Sequence, residues 1–187
     1  RRRENLNGAK IKRLFLIPRG SGSKFRLIIN YLSYFFSCFF YTLYLALFRK
    51  KYDVVFVHHT SPILIAISPI VYKWIRRPKM ILWDLDLWPD TLIALNVLKE
   101  GKLSRFLDKI VTWIYKKYDH VLIGSKSFTD KAASRIDKSK IDYFPNWAED
   151  VFTKNKIIIP DSQPELPAGF SLMYTGNIGE AQDFDNI

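Results

Sequence analysis

Lys79-Met80-Ile81-Leu82-Trp83-Asp84-Leu85-Asp86-Leu87-Trp88-Pro89-Asp90 is the stretch on which the reading of this chain turns. Its first half is apolar at consecutive positions, the pattern of a strand in a parallel sheet with helices above and below it. Its end sets three carboxylates, Asp84, Asp86 and Asp90, around Trp83 and Trp88, with Pro89 just before the last of them. Acids gathered at the carboxyl end of a strand are costly unless they are solvated, paired or used, and open α/β sheets bind ligands at that edge. Asp90, directly before Thr91 and Leu92, suits a helix cap. Asp86 is the stronger candidate for a group that binds or orients a hydroxyl, a catalytic position, and Trp88 beside it suits either stacking on a sugar ring or the core.

Outward from this stretch, similar short runs recur at residues 11–17, 53–59, 120–125, 140–146 and 170–176. Helix-like segments fall between them at 24–51, 61–77, 88–98, 102–118 and 125–136. The alternation predicts an α/β fold, a doubly wound parallel sheet. Ser61-Pro62 reads as a capping hydroxyl before a proline at the first helical position, and Gly101 separates the third helix from the fourth.

The run 53–59 delivers His58, His59, Thr60 and Ser61 to a strand end where a helix begins. Backbone amides and helix N-termini face the crevice at such an edge, and His58, His59 and Ser61 are candidates to contact a phosphate or a sugar hydroxyl. No further ligand follows at metal-binding spacing, so no metal is expected there. The single cysteine, Cys38, excludes a disulfide or a cysteine-based zinc site within these 187 residues.

Charge is unevenly placed: residues 1–148 hold 27 basic and 11 acidic side chains, and the remainder hold 2 and 7. A basic surface suits nucleic acid, an anionic membrane or phosphorylated substrates. Residues 31–48 are uncharged and aromatic and end at Arg49-Lys50-Lys51, which fits a half-buried helix, one lying in the membrane interface, or a span. A buried or half-buried helix is the leading reading. Prolines 160, 164 and 167 mark a break in pattern. The expected organisation is a Rossmann-like domain over 1–148, a linker over 149–169 and the start of a second domain over 170–187. The beginning at Arg1-Arg2-Arg3 resembles a cut end rather than a signal peptide.

In their order, His59-Thr60-Ser61-Pro62, Leu82 to Asp90, Phe144-Pro145-Asn146-Trp147 and Tyr174-Thr175-Gly176-Asn177-Ile178-Gly179-Glu180-Ala181-Gln182 resemble family 4 glycosyltransferases. The likeness is to the subgroup that builds O-antigen and capsule polysaccharides. That resemblance implies a GT-B architecture in which the first Rossmann-like domain holds the acceptor and the second holds a nucleoside-diphosphate sugar. It implies a retaining hexosyl or amino-sugar transfer to a polyprenyl-diphosphate-linked saccharide, without metal or other cofactor, at the cytoplasmic face of the plasma membrane. Gly176, Asn177, Gly179 and Gln182 match the donor-binding loop, where missing side chains let the backbone approach a pyrophosphate. Leu85 departs from the histidine that many relatives carry there. The family's opening strand and most of its donor domain are expected beyond the two ends of this chain. Two other classes compete. One is a basic α/β module that binds nucleic acid or an anionic membrane without catalysis, although no recognition-helix or aromatic-platform pattern supports nucleic acid. The other is a receptor or scaffold that keeps the fold alone.

Overall fold

The computed structural model describes residues 3–20, 24–49, 51–147, 168–176 and 184. Most of the expected linker, and Asn177, Gly179 and Gln182, lie outside the described residues. Packing divides the chain into two compact units, Arg1–Pro145 and Asn146–Ile187.

In the first unit, β1 (Arg3–Leu6) and β2 (Ala9–Lys12) form an antiparallel hairpin. Its turn, Asn7-Gly8, has φ of 49° and 87°, the doubly left-handed geometry that an Asn-Gly pair accepts at low cost. The expected strand 11–17 is thereby corrected. Only its first two residues are strand, and they pair within the hairpin because the turn offers a local partner before any distant one. Helix α1 (Lys24–Phe48) follows, ending three residues before the expected limit.

The remaining elements alternate. They are β3 (Val54–His59), α2 (Ser68–Arg76), β4 (Lys79–Asp84), α3 (Asp90–Ala94), α4 (Lys102–Lys117), β5 (His120–Ile123), α5 (Thr129–Ala133) and β6 (Ile141–Tyr143). The four strands from β3 to β6 make one parallel sheet in that order, the Rossmann-like α/β arrangement expected. Three helices are markedly shorter than expected, α5 among them, where a 3₁₀ turn at Lys126–Phe128 precedes Thr129–Ala133. A 3₁₀ turn at Ile63–Ile67 precedes α2, whose start is fixed by Pro69. Asn96, at φ 54°, stops the third helix soon after Ala94. Ser61 caps nothing here, since its hydroxyl is drawn to Asp86 instead.

Strand order that steps in one direction carries successive crossovers to the same side of a sheet. Val57, Met80, Leu82, Val121 and Ile123 on that side form one core with Ile63, Ala66 and Ile70, with Val111, Ile114, Tyr115 and Tyr118 of the α4 segment, and with Ala132. Each such buried aliphatic chain contributes about 1.5–3 kcal/mol. On the opposite side Val54, Phe56 and His58 are exposed. There Trp83 lies under the rings of His58, at 4.8 Å, and Phe144, at 5.2 Å. Trp83 also donates its indole N–H to the Phe144 carbonyl at 2.8 Å.

Helix α1 packs along α2. Its last turn is held by Arg76, which donates to the carbonyls of Ala46, Leu47 and Arg49, groups that a helix end otherwise leaves orphaned. The helix forms half-buried, within the buried or half-buried reading: most of its described side chains are partly covered. Of the described side chains in α1, only Asn30 and Ala46 are buried. Phe25, Ile28, Leu32, Phe36, Phe40, Tyr44 and Leu47 are exposed at intervals of three and four, which is one helical face. Phe25–Phe48 is long and apolar enough to cross a membrane by length and composition.

In the second unit, residues 168–176 contain no strand, which corrects the expectation for 170–176. A strand exists through its ladder, and no described residue pairs with this one. Tyr174 and Phe184 meet edge to face at 4.8 Å.

One cap ties the sheet's amino-terminal edge together. Asp119 accepts from the Met80 amide at 2.7 Å and from the Lys73 ammonium at 3.0 Å. Burial pushes the Asp119 carboxyl up, but these two donors outweigh it and hold it below the ordinary carboxylate range. A carboxylate depressed in the folded state gives stability that is complete above its unfolded pKa and is lost as pH falls through the folded one. Asp119→Asn is expected to cost about 1–2 kcal/mol at pH 7, and progressively less below about pH 4, in urea denaturation across pH. An equal loss at pH 7 and at pH 3 would contradict this.

Candidate functional site

The site lies at the carboxyl edge of the sheet, where β3 and β4 end side by side. Their register pairs His59 directly with Asp84, and the two side chains meet there, His59 Nδ1 lying 2.5 Å from Asp84 Oδ1. Both residues are fully buried. The other carboxylate oxygen accepts from the Tyr115 hydroxyl, which α4 presents from the same helical face as Val111, Ile114 and Tyr118. Burial first, and the neighbouring Asp84 charge second, raise the Tyr115 phenol well above its ordinary range, so the ring keeps its proton and remains a donor. The Arg135 guanidinium lies 5.3 Å from the Tyr115 ring centre, a cation–π contact. A buried carboxylate is tolerated only when its lone pairs are used, and this one has two donors. His59 Nε2 is buried with no partner among the described residues.

One layer out, the pattern changes from sealed to half-open. Asp86 is half-buried, and its Oδ2 accepts from the Ser61 hydroxyl at 2.7 Å. Ser61 in turn accepts from the Trp88 indole N–H at 3.0 Å. The structure therefore brings Ser61, Asp86 and Trp88 together in a chain of two hydrogen bonds, with Trp88 also against the core. One Asp86 oxygen is committed to Ser61, and the carboxylate retains capacity to accept from a ligand hydroxyl. His59 stands beneath this layer. His58 points to the opposite face of the sheet, exposed and against Trp83, as neighbouring residues on a strand must. Asp90 belongs to an ion cluster with Arg135, Lys131 and Asp108 rather than to a helix cap. Gly176 is exposed in the second unit, where an added Cβ would meet the Tyr174 hydroxyl at 2.8 Å.

Sequence reasoning missed Asp84, Tyr115 and Arg135. A strand alignment that paired 59 with 84 would have flagged the first. The i, i+3, i+4 spacing of Val111, Ile114 and Tyr115 carried a signal for the second, since a buried tyrosine needs a partner for its hydroxyl. Among the described residues, no three His, Cys, Asp or Glu side chains converge as metal ligands.

No family model matches the chain. It is 25% identical over 178 residues to a Pseudomonas aeruginosa protein named "Probable glycosyltransferase WbjE", an alignment that takes in 92% of this chain and 44% of that protein. The chain thus spans less than half the length of the curated relative it matches.

Removing the Tyr115 hydroxyl leaves Asp84 with one donor fewer in a fully buried setting. Tyr115→Phe is expected to destabilise by about 2 kcal/mol in chemical denaturation. In a double-mutant cycle with Asp84→Asn, the two losses should fall short of additive by at least about 0.5 kcal/mol. A Tyr115→Phe loss near zero, or strict additivity, would show that the carboxylate does not depend on the phenol.

Proposed function

We propose that this chain holds the acceptor-side domain and the first residues of the donor-side domain of a retaining glycosyltransferase of family 4, of the kind that builds surface polysaccharides such as O-antigen and capsule. The observation that carries this reading is the Ser61–Asp86–Trp88 chain at the carboxyl edge of the sheet. It sets a half-exposed carboxylate, held in one direction by a hydroxyl, beside an indole. A hydroxyl acceptor with an apolar ring face suits carboxylate and indole together. The likeness to a protein named as a glycosyltransferase, and the motifs around Asp86, support the same reaction class.

In the proposed reaction a hexosyl or N-acetylamino-sugar residue moves from a nucleoside diphosphate to a polyprenyl-diphosphate-linked saccharide. The acceptor hydroxyl oxygen bonds to the anomeric carbon on the face from which the diphosphate departs. The bond from that carbon to the diphosphate oxygen breaks, its electron pair leaving with the diphosphate, and the hydroxyl proton passes to the departing phosphate oxygen. Asp86 accepts a hydrogen bond from the attacking hydroxyl and aims its lone pair, an orientation effect. Ser61 and Trp88 hold Asp86, and Trp88 contacts the sugar ring. His59 supports the crevice through Asp84, and His58, on the opposite face of the sheet, takes no part in it. Gly176, Asn177, Gly179 and Gln182 contribute to the donor pyrophosphate site in this scheme. No metal or further cofactor takes part, the leaving diphosphate being neutralised by helix N-termini and basic side chains on the donor side.

The lipid-linked acceptor places the enzyme at the cytoplasmic face of the plasma membrane. The exposed apolar stripe of α1 and its basic flank at Arg49 and Lys51 fit a helix lying in an anionic interface, where each Lys or Arg near the surface adds about 1 kcal/mol.

Two measurements test this reading. Asp86→Asn in the intact enzyme is expected to lower kcat/KM about 100-fold or more while leaving thermal stability unchanged. An unchanged rate refutes the role given to Asp86. Co-sedimentation with phosphatidylglycerol vesicles is expected at low salt and should weaken as the Debye length falls below about 10 Å. Paired Phe36→Asp and Phe40→Asp changes should reduce it about tenfold or more. A protein that ignores anionic vesicles, or that stays bound through both high salt and carbonate, contradicts interfacial docking.

A further inference from the structure

Arg135 follows α5 and is 5% exposed. Its Nη2 donates to the Trp88 carbonyl at 2.6 Å, to Asp108 Oδ1 at 2.7 Å and towards Asp90 Oδ2 at 3.3 Å. Its Nε and Nη1 are buried without a partner among the described residues. A buried guanidinium with unpaired donors is a poor source of stability compared with an apolar chain of similar volume. What it supplies is direction, because the rigid fork of donors fixes whatever it binds.

What it binds is the backbone that carries the crevice. Trp88 is gripped twice: its carbonyl by Arg135, and its indole N–H by Ser61, whose hydroxyl holds Asp86. The guanidinium is itself held from three sides. The Tyr115 ring lies along it, and the carboxylates of Asp90 and Asp108 share it with Lys131, whose ammonium lies 3.1 Å and 3.6 Å from them. Burial pushes the Asp108 carboxyl up, yet Arg135 and Lys131 outweigh that and hold it below the ordinary range, so the anion that anchors Arg135 persists at neutral pH.

We propose that Arg135 is a positioning residue. By pinning the Trp88 carbonyl it sets the Trp88–Ser61–Asp86 chain in the orientation that receives the acceptor sugar. Arg135 touches neither substrate nor reacting atoms, and acts through Trp88. The effect on acceptor kinetics rests on the sugar-transfer reading; the effect on Trp88 does not.

The test uses the intact protein labelled with 5-fluorotryptophan, with the Trp88 ¹⁹F resonance assigned through Trp88→Phe. Arg135→Met is expected to shift or broaden that resonance while leaving those of Trp74 and Trp113 in place. It should also raise KM for the acceptor about tenfold, with KM for the donor unchanged. Arg135→Lys, which can still reach the carbonyl with one donor, should restore part of both effects. If the methionine variant does not fold, Arg135→Gln is read in the same way. A folded variant whose Trp88 resonance does not move overturns the proposal, whatever its activity. If the resonance moves but the wild-type protein transfers no sugar to lipid-linked acceptors, the positioning role stands and the functional reading falls.

Discussion

Asp84 is an acid with no surface open to solvent, and the arrangement of the domain follows from satisfying it. Moving a carboxylate out of solvent costs several kcal/mol even after relaxation, so its oxygens must be met by donors from the surrounding elements. One donor comes from β3 through the His59–Asp84 register pair, the other from α4 through Tyr115. Three elements far apart in sequence are thereby locked at the same end of the sheet. Tyr115 brings the Arg135 guanidinium against its outer face. The polar spine continues from there to the Trp88 carbonyl and the loop on which Asp86 sits.

The two acids of this strand end show how environment divides labour. Asp84 is sealed and spent on structure. Asp86, two residues on, is half-buried with one oxygen committed to Ser61. The first rigidifies the floor on which the second is displayed, and a site built on strand ends holds its geometry better than one built on free loops. The opposite edge of the sheet has a different character. There Asp119 ties Lys73 to β4 and Arg76 closes the end of α1, so basic side chains gather where helix carbonyls end.

How far the sequence could be read differs from element to element. The strands β3, β4 and β5 were legible because long apolar runs bounded by turn residues have few alternative uses. Residues 11–17 and 170–176 looked equally strand-like, but pairing depends on partners that a single run does not reveal. The α1 region was legible as a half-buried helix, whereas the face it leaves exposed was not, since composition cannot say which side a helix presents. At the site, Ser61, Asp86 and Trp88 were readable from their position at strand ends. Arg135 was not, because it sits in a segment of Lys, Ser and Asp that reads as solvated surface, and its burial comes wholly from tertiary contacts with Tyr115, Asp108 and Trp88. His58 and His59 could not be told apart until the strand fixed which of them faced the core.

The claim at the centre of this account is that an acceptor saccharide binds at the carboxyl edge of the sheet, over Asp86 and Trp88. Photolabelling tests it most directly, with a polyprenyl-diphosphate-linked N-acetylhexosamine that carries a diazirine on the sugar, followed by peptide mapping of the intact protein. The account expects saturable labelling, competed by unmodified acceptor, within the peptides that contain Ser61 and Asp86 to Asp90. Competed labelling confined to other peptides, or labelling that never saturates, would contradict it.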